Sequence, residues 1–400
     1  MKNNILTLAT LALTAAMAAC NSENTANRIE FPGTVDNEAF AANVESISVE
    51  NLQMEDNWAL AEMVSICLSD NYLYMIESTK LQLTCFNRQT GEKLSNRSIN
   101  GNGPGEINEL NSLFCIGDTL CIYDSKGSIL KYDNGCHFIG KMHEFSDLSW
   151  RYNIVRLDNG NYVFVSITNP DADDNNPAMM LADKDFNIIS KHFDVPQAQI
   201  SFFDCIDPCF VVGDTIRSTF LFDCKLYTLS GETEQVTELA VPNPVTPEIA
   251  NESFASGDFM ALDTYDGTFS TICGSGRFLL LSYHIGDDHY MTTVDYRTNK
   301  ATSILISDVE DNLESTASIV GNLILKSGPV KNADGYIYLR TPNSNMAKLL
   351  EGHDDLLDAR LKATQASYRA YLERNAEYIK GLEPEELDAV NVLLKIKLKD

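Results

Sequence analysis

The feature that most limits what this chain can fold into is a short phrase that recurs along it: a turn of Asp, Asn or Gly followed at once by a brief apolar strand. It is read six times, at Asp70-Asn71-Tyr72-Leu73-Tyr74-Met75, Gly117-Asp118-Thr119-Leu120-Cys121-Ile122-Tyr123, Asn159-Gly160-Asn161-Tyr162-Val163-Phe164-Val165, Gly213-Asp214-Thr215-Ile216, Gly274-Ser275-Gly276-Arg277-Phe278-Leu279-Leu280 and Asp334-Gly335-Tyr336-Ile337-Tyr338-Leu339. Anchored on Leu73, Leu120, Tyr162, Ile216, Phe278 and Ile337, the copies stand 47, 42, 54, 62 and 59 residues apart. That spacing suits four short strands plus loops. In most copies an apolar strand precedes the turn, as in Ser112-Leu113-Phe114-Cys115-Ile116 and Tyr152-Asn153-Ile154-Val155-Arg156-Leu157, so each phrase reads as a hairpin. A second turn often follows, at Phe86-Asn87-Arg88-Gln89-Thr90-Gly91, Tyr132-Asp133-Asn134-Gly135 and Leu226-Tyr227-Thr228-Leu229-Ser230-Gly231, and supplies a third and fourth strand. Gly and Asn punctuate the pattern because they tolerate the positive φ of tight turns.

Six four-stranded units predict an all-β chain, a six-bladed β-propeller whose small sheets bury both faces against their neighbours around a central channel. A pair of β-sandwiches is the other all-β arrangement weighed, and a parallel α/β sheet is set aside because no helical period is read before about residue 350. Beyond that point Leu356, Leu357, Leu361, Tyr368, Tyr371, Leu372, Tyr378 and Ile379 share one helical stripe, which predicts a helix over about 353–380 with Gly381 as its stop. The alternation of Asn391 to Leu398 then predicts a terminal strand that closes the ring against the region Val44 to Val49.

The N-terminus reads as an address. Lys2, an apolar stretch from Ile5 to Ala19 and small residues at Ala18 and Ala19 lead to Cys20. The apolar part is about half the ~20 residues that a membrane-spanning helix needs, so it reads as a removable signal peptide. The chain thus divides into a signal peptide over 1–19, a tether over 20–38 and one propeller over 39–400. The formal net charge of −27 is spread without a basic block, which argues against nucleic acid and anionic lipid as partners. Of ten cysteines, nine remain beside Cys20. Most sit in apolar runs such as Val64-Ser65-Ile66-Cys67-Leu68 and read as buried thiols. The sequence-close pairs Cys115/Cys121 and Cys205/Cys209 lack the spacing of a zinc or redox site.

Met17-Ala18-Ala19-Cys20 resembles the lipobox of bacterial lipoproteins, with Met17 where Leu is usual. Together with the loop Gly101-Asn102-Gly103-Pro104-Gly105-Glu106 and the closing strand ending Leu394-Lys395-Ile396-Lys397-Leu398-Lys399, it makes the chain resemble the six-bladed β-propeller lipoproteins of gut-dwelling Gram-negative bacteria, relatives of the NHL-repeat propellers. The resemblance implies lipid on Cys20, anchoring at a membrane, and a propeller fold; it brings no catalytic residues. Asn21 is not the Asp that retains some lipoproteins in the inner membrane, so the expected address is the outer membrane.

Chemical motifs are sparse. The Gly101 to Glu106 loop has the glycines of a phosphate cradle but no Lys or following helix, and Pro104 removes a donor, so it reads as an inter-blade turn. Asp171, Asp173, Asp174 and Asn175 are oxygen-rich, yet lack the Gly and closing Glu of a calcium loop and read as a solvated hairpin tip. His284 and His289 flank Asp287 and Asp288 without metal-site spacing. No nucleophile phrase such as Gly-x-Ser-x-Gly is present. The sequence therefore predicts no metal or cofactor and a non-catalytic binding or scaffold propeller, held at the membrane by its lipid and binding a peptide, glycan or envelope protein. The alternative is a glycan-active hydrolase or lyase with acid and base residues drawn from channel-facing strands.

Overall fold

The structure is a computed structural model and describes residues 27–55, 59, 61, 64–145, 151–168, 177–195, 209–220, 222–267, 269, 271–310 and 312–400. Cys20, Cys205 and the acidic run Asp171 to Asn175 lie outside these residues. Six sheets follow one another along the chain. Blade 1 comprises Val64–Leu68, Tyr72–Glu77, Gln82–Asn87 and Lys93–Ser98, and blade 2 comprises Leu110–Ile116, Thr119–Asp124, Ser128–Tyr132 and Phe138–Glu144. Blade 3 comprises Arg151–Arg156, Tyr162–Thr168, Pro177–Ala182 and Ile188–Asp194; blade 4 comprises Cys209–Val212, Thr215–Phe220, Asp223–Ser230 and Thr233–Ala240. Blade 5 comprises Thr271–Ser275, Phe278–Ile285, Asp288–Asp295 and Lys300–Leu305. Blade 6 is assembled from both ends of the chain: Gly328–Ala333, Tyr336–Pro342, Asn391–Leu398 and, outermost, Val44–Val49. The predicted closure is observed, with Leu394 opposite Val49 and Ile396 opposite Ile47 in an antiparallel ladder.

All six recurring phrases fall at the turn between the first and second strands of a blade. Apart from Thr215–Phe220 of blade 4, the strands after them are apolar at most positions because alternate residues face different neighbours. In blade 1, Tyr74 and Ile76 pack with Leu113, Leu120 and Ile122 of blade 2, while Leu73 and Met75 pack with Ile337, Leu339 and Ile396 of blade 6. The same seam recurs between blades 2 and 3 through Cys121, Tyr123, Tyr162 and Phe164. Val163 and Val165 meet Ile216 and Leu229 between blades 3 and 4, and Leu226 meets Leu279 and Leu281 between blades 4 and 5. Such sheets are stable only in a ring, since each isolated blade presents two apolar faces to water.

The tether boundary at residue 38 needs correction. Arg28–Glu30 adds a parallel strand to the outer edge of blade 4 and Thr34–Val35 adds one to blade 5, with Ile29 fully buried. Strands of three and two residues are too short to show a period. Gly33 lies between them at φ +69°, where a Cβ would stand 2.5 Å from the Ala301 carbonyl oxygen, so glycine alone fits.

The expected C-terminal helix is present as Ala359–Arg374, followed by a turn at Ala376–Ile379 just short of Gly381. Asp358 caps it by accepting from Leu361 N–H at 2.8 Å. It covers the outermost strand of blade 6: Thr364 Oγ1 donates to the Ile47 carbonyl at 2.8 Å, and Val49 N–H donates to Ser367 Oγ at 2.9 Å. That blocks an open sheet edge. The reading of no helix before residue 350 is overturned by Pro247–Ser256, Thr316–Leu325 and Asn343–Leu350. Thr316–Leu325 escaped because Ala317 through Ile324 are all buried, so the segment has no polar face and no 3.6-residue contrast.

Neighbouring hairpin turns are laced to one another. Asn71 Nδ2 donates to Asp118 Oδ2 at 2.7 Å between blades 1 and 2, and Asn159 N–H donates to Asp214 Oδ1 at 2.8 Å between blades 3 and 4. Ser275 Oγ donates to the Gly335 carbonyl between blades 5 and 6, and Arg88 pairs with Asp334 between blades 1 and 6. The Asp and Asn of the repeat thus shape a turn and also join it to the next blade.

Two outcomes test this architecture. Leu394→Ala, at a fully buried position of the closing strand, is expected to cost about 2–5 kcal/mol in urea unfolding, whereas Leu94→Ala on the exposed rim of blade 1 changes stability by less than about 0.5 kcal/mol; equal effects would contradict ring closure through that strand. The hydrogen bonds from Asn71 and Ser69 hold the Asp118 carboxyl below its ordinary range. Its folded pKa is then below the unfolded value of ~3.9, so its contribution is present at neutral pH and lost as pH falls through the folded value. Asp118→Ala is expected to cost at most about 1 kcal/mol at pH 7, given its exposure, and the gap from the parent protein should begin to close as pH falls below about 4. A gap that does not change with pH would remove the carboxylate from the lacing.

Candidate functional site

The first strand of every blade lines the propeller axis, and all six run so that their hairpin turns gather at one end. At that end lies a cavity of about 590 Å³, to which all six blades contribute. Its apolar wall includes Leu68, Phe114, Val155 and Val211, with Val212 42% exposed at the rim. Its charged groups are Arg156, Lys331 and Lys397 beside Asp158, Asp334 and Asp400. Several are already engaged: Asp334 with Arg88, and Lys397 with Glu45 and Asp400. The mouth therefore pairs an apolar floor with charges of both signs, although the chain as a whole is strongly acidic.

Polar bonds join the inner strands at this level. Ser112 Oγ donates to Asn153 Oδ1 at 2.7 Å and accepts from Ile154 N–H at 2.9 Å, linking blades 2 and 3. Asn332 of blade 6 accepts from Gly274 N–H of blade 5 at 2.9 Å and donates to the Cys209 carbonyl of blade 4 at 3.4 Å. Such buried groups, once satisfied, fix the relative setting of the strands. The aromatic rings that reach the cavity are mostly occupied. Phe114 is buried edge-on to Tyr162, and the ammonium of Lys395 stands 4.1 Å from the centre of the Tyr336 ring.

The residues singled out in the sequence fare differently. The Gly101 to Glu106 loop does join blades 1 and 2, but its glycine-lined hollow is filled from within: Gly103 N–H donates to Glu106 Oε2 at 2.7 Å. A Cβ on Gly105 would stand 2.3 Å from Phe138. This is a packed turn whose anion is its own carboxylate. His284 and His289 face each other across the central hairpin of blade 5, with His284 Nε2 2.6 Å from the Tyr265 carbonyl. Among the described residues no group of three or more His, Cys, Asp or Glu side chains is placed to hold a metal ion.

Sequence reading missed one constellation. Ser190 Oγ lies 2.7 Å from His192 Nε2, and His192 Nδ1 lies 2.8 Å from Glu234 Oε1. The order hydroxyl, imidazole, carboxylate is that of a hydrolytic triad. It stands on the fourth strands of blades 3 and 4, at the opposite radius from the cavity, and it joins those blades across their rim. Ser190 and His192 are spaced to share one face of a strand, but Glu234 is 42 residues from His192, and no local signal announces the pairing.

Comparison with known proteins accords with this geometry. Residues 18–319 match a protein family described as a 6-bladed beta-propeller. Among solved structures the chain is similar to a Bacteroides fragilis protein named as exported, with 18% identity, a TM-score of 0.63, and 93% of this chain and 99% of that one covered. It is also similar to a Bacteroides vulgatus protein at 8% identity and a TM-score of 0.45, with 66% and 85% covered. No curated protein matches it. At 18% identity the likeness to the Bacteroides fragilis protein speaks to the fold alone. The family match stops before the first strand of blade 6, which the structure supplies. With most of its length matched and six blades observed, the chain belongs to this family of 6-bladed beta-propellers.

Proposed function

We propose that the protein is an envelope lipoprotein, anchored through lipid on Cys20 at the outer membrane, that binds a peptide segment of a partner protein in the mouth of its channel and performs no chemistry there. The observation that carries the reading is the mouth itself. A cavity of about 590 Å³ framed by six laced hairpins falls in the size range of binding pockets, and it combines an apolar wall with a few converging polar groups. A peptide suits it better than a glycan, because sugars stack on open aromatic faces and here Phe114 is buried and Lys395 stands over the half-buried Tyr336 ring. An exposed aliphatic rim at Val212 favours an apolar side chain flanked by charge.

The anchor sets an orientation. Asn27 is already bound to blade 4, its carbonyl accepting from Glu238 N–H at 2.9 Å. The intervening residues from Cys20 span at most about 25 Å when fully extended. The rim of blade 4 thus lies close to the bilayer. Multiple acyl chains on Cys20 make such anchoring stable.

One observation favours a hydrolase: the Ser190, His192 and Glu234 chain. In the binding account it is a structural link between blades, and two of the three channel carboxylates, Asp334 and Asp400, are committed to ion pairs.

Recovery of the tethered protein from its native membrane, beside glycan-array binding, separates the readings. The account expects radiolabelled palmitate on the parent protein but not on Cys20→Ser, a co-purifying envelope protein, and at least about tenfold weaker recovery with Val212→Asp, since a buried charge opposing an apolar contact costs more than about 1.4 kcal/mol. Selective glycan binding with slow loss of the glycan would overturn it. So would stoichiometric labelling of Ser190 by a fluorophosphonate, which the account expects to be absent.

A further inference from the structure

The inner ring contains one contact of a different chemistry. Cys67 is the penultimate residue of the first strand of blade 1 and Cys115 that of blade 2; they are 48 residues apart in sequence, and their sulfur atoms lie 2.9 Å apart. That is within about 1 Å of the ~2.05 Å bond length of a disulfide. Both side chains line the cavity, with Cys115 partly exposed and Cys67 buried. Where blade 2 meets blade 3 through Ser112 and Asn153, and blade 6 meets blades 4 and 5 through Asn332, blade 1 meets blade 2 at the mouth through these two thiols. Of the other described cysteines, Cys85 and Cys136 share the seam between blades 1 and 2, Cys209 of blade 4 also lines the cavity, Cys121 packs toward blade 3, Cys224 between blades 4 and 5, and Cys273 toward blade 6. Cys136 is engaged by Ser95 Oγ at 3.0 Å.

We propose that Cys67 and Cys115 form a disulfide that joins blades 1 and 2 in the wall of the cavity. The oxidant is a dithiol-derived or glutathione-type disulfide acting by exchange. One cysteine, as thiolate, attacks a sulfur of the donor; the donor's S–S bond breaks and its first thiolate leaves, taking up a proton. The second cysteine then displaces the remaining donor thiol. Two S–H bonds are lost, one S–S bond forms, and the donor is reduced by two electrons to two thiols. In the reduced folded state the Cys115 thiol is pushed far above its ordinary range, first by its hydrogen bond with Cys67 and then by burial. Thiolate is scarce there, so exchange runs fastest while the chain is folding. A bond at this place fixes the relative setting of Leu68 and Phe114, which share the cavity wall.

The pairing is a property of the fold and does not depend on the envelope address, so it is tested on the purified full chain carrying Cys20→Ser. The reduced protein is refolded in a neutral glutathione redox buffer, its remaining thiols are blocked, and it is digested without reduction for mass spectrometry. The expected result is the Cys67 peptide joined to the Cys115 peptide, two hydrogens lighter than their sum, in most molecules and lost on treatment with dithiothreitol. With Cys67→Ser, Cys115 should be recovered as a blocked thiol or a glutathione adduct, which shows that no other cysteine is positioned to replace it. Recovery of Cys67 and Cys115 as separately blocked thiols from refolded parent protein, or a bond from Cys115 to Cys121, would overturn the proposal.

Discussion

The backbone ladder between Asn391–Leu398 and Val44–Val49 is the interaction on which the rest of the structure depends. Every blade is apolar on both faces, and every seam buries residues from two neighbours, so an incomplete ring leaves two such faces in water. Blade 6 has two strands from consecutive chain and needs one from each end of the sequence to become a full sheet. Its seam draws on blades 5 and 1 and on the helices inserted between its strands. The helix Ala359–Arg374 then covers the outer edge that closure would otherwise leave open.

Closure also makes the mouth. Because the inner strands run alike, the six hairpins that carry the repeated Asp, Asn and Gly residues collect at one end, where hydrogen bonds between adjacent turns stiffen the rim. The outer circumference is less uniform. The edges of blades 4, 5 and 6 are covered by Arg28–Glu30, Thr34–Val35 and Ala359–Arg374. The outer strands of blades 1 to 3 carry exposed Leu94, Ile139 and Ile189. With the tether leaving from blade 4, the proposed anchor holds the covered side of the rim near the bilayer and leaves the cavity opening on a face of the disc.

What could be read from the sequence follows from which physical signals are local. The six first hairpins were legible because their turns need residues that accept positive φ and, outside blade 4, their second strands are apolar at successive positions. The closing strand was legible from the alternation through Lys395 and Lys397, whose side chains leave the core at every second place. The fourth strands carried little signal: Lys93–Ser98 and Thr233–Ala240 lie on the rim and are mostly polar. The two N-terminal strands are too short for any period, and Thr316–Leu325 is too thoroughly buried to show one. The site was hidden for another reason. Ser112 with Asn153, Arg88 with Asp334, and Cys67 with Cys115 are each brought together only by the ring, so a linear reading saw Cys115 beside Cys121 and not beside its spatial neighbour.

The most direct test of the central claim, that the channel mouth is where a partner binds, is photocrosslinking in the native membrane. A photoreactive amino acid is placed at Val212 on the mouth or at Ile139 on the rim of blade 2, both exposed in the structure. The account predicts that irradiation traps a discrete partner from position 212 and not from position 139. Adducts from position 139 with none from position 212 would contradict it and move the binding surface to the circumference.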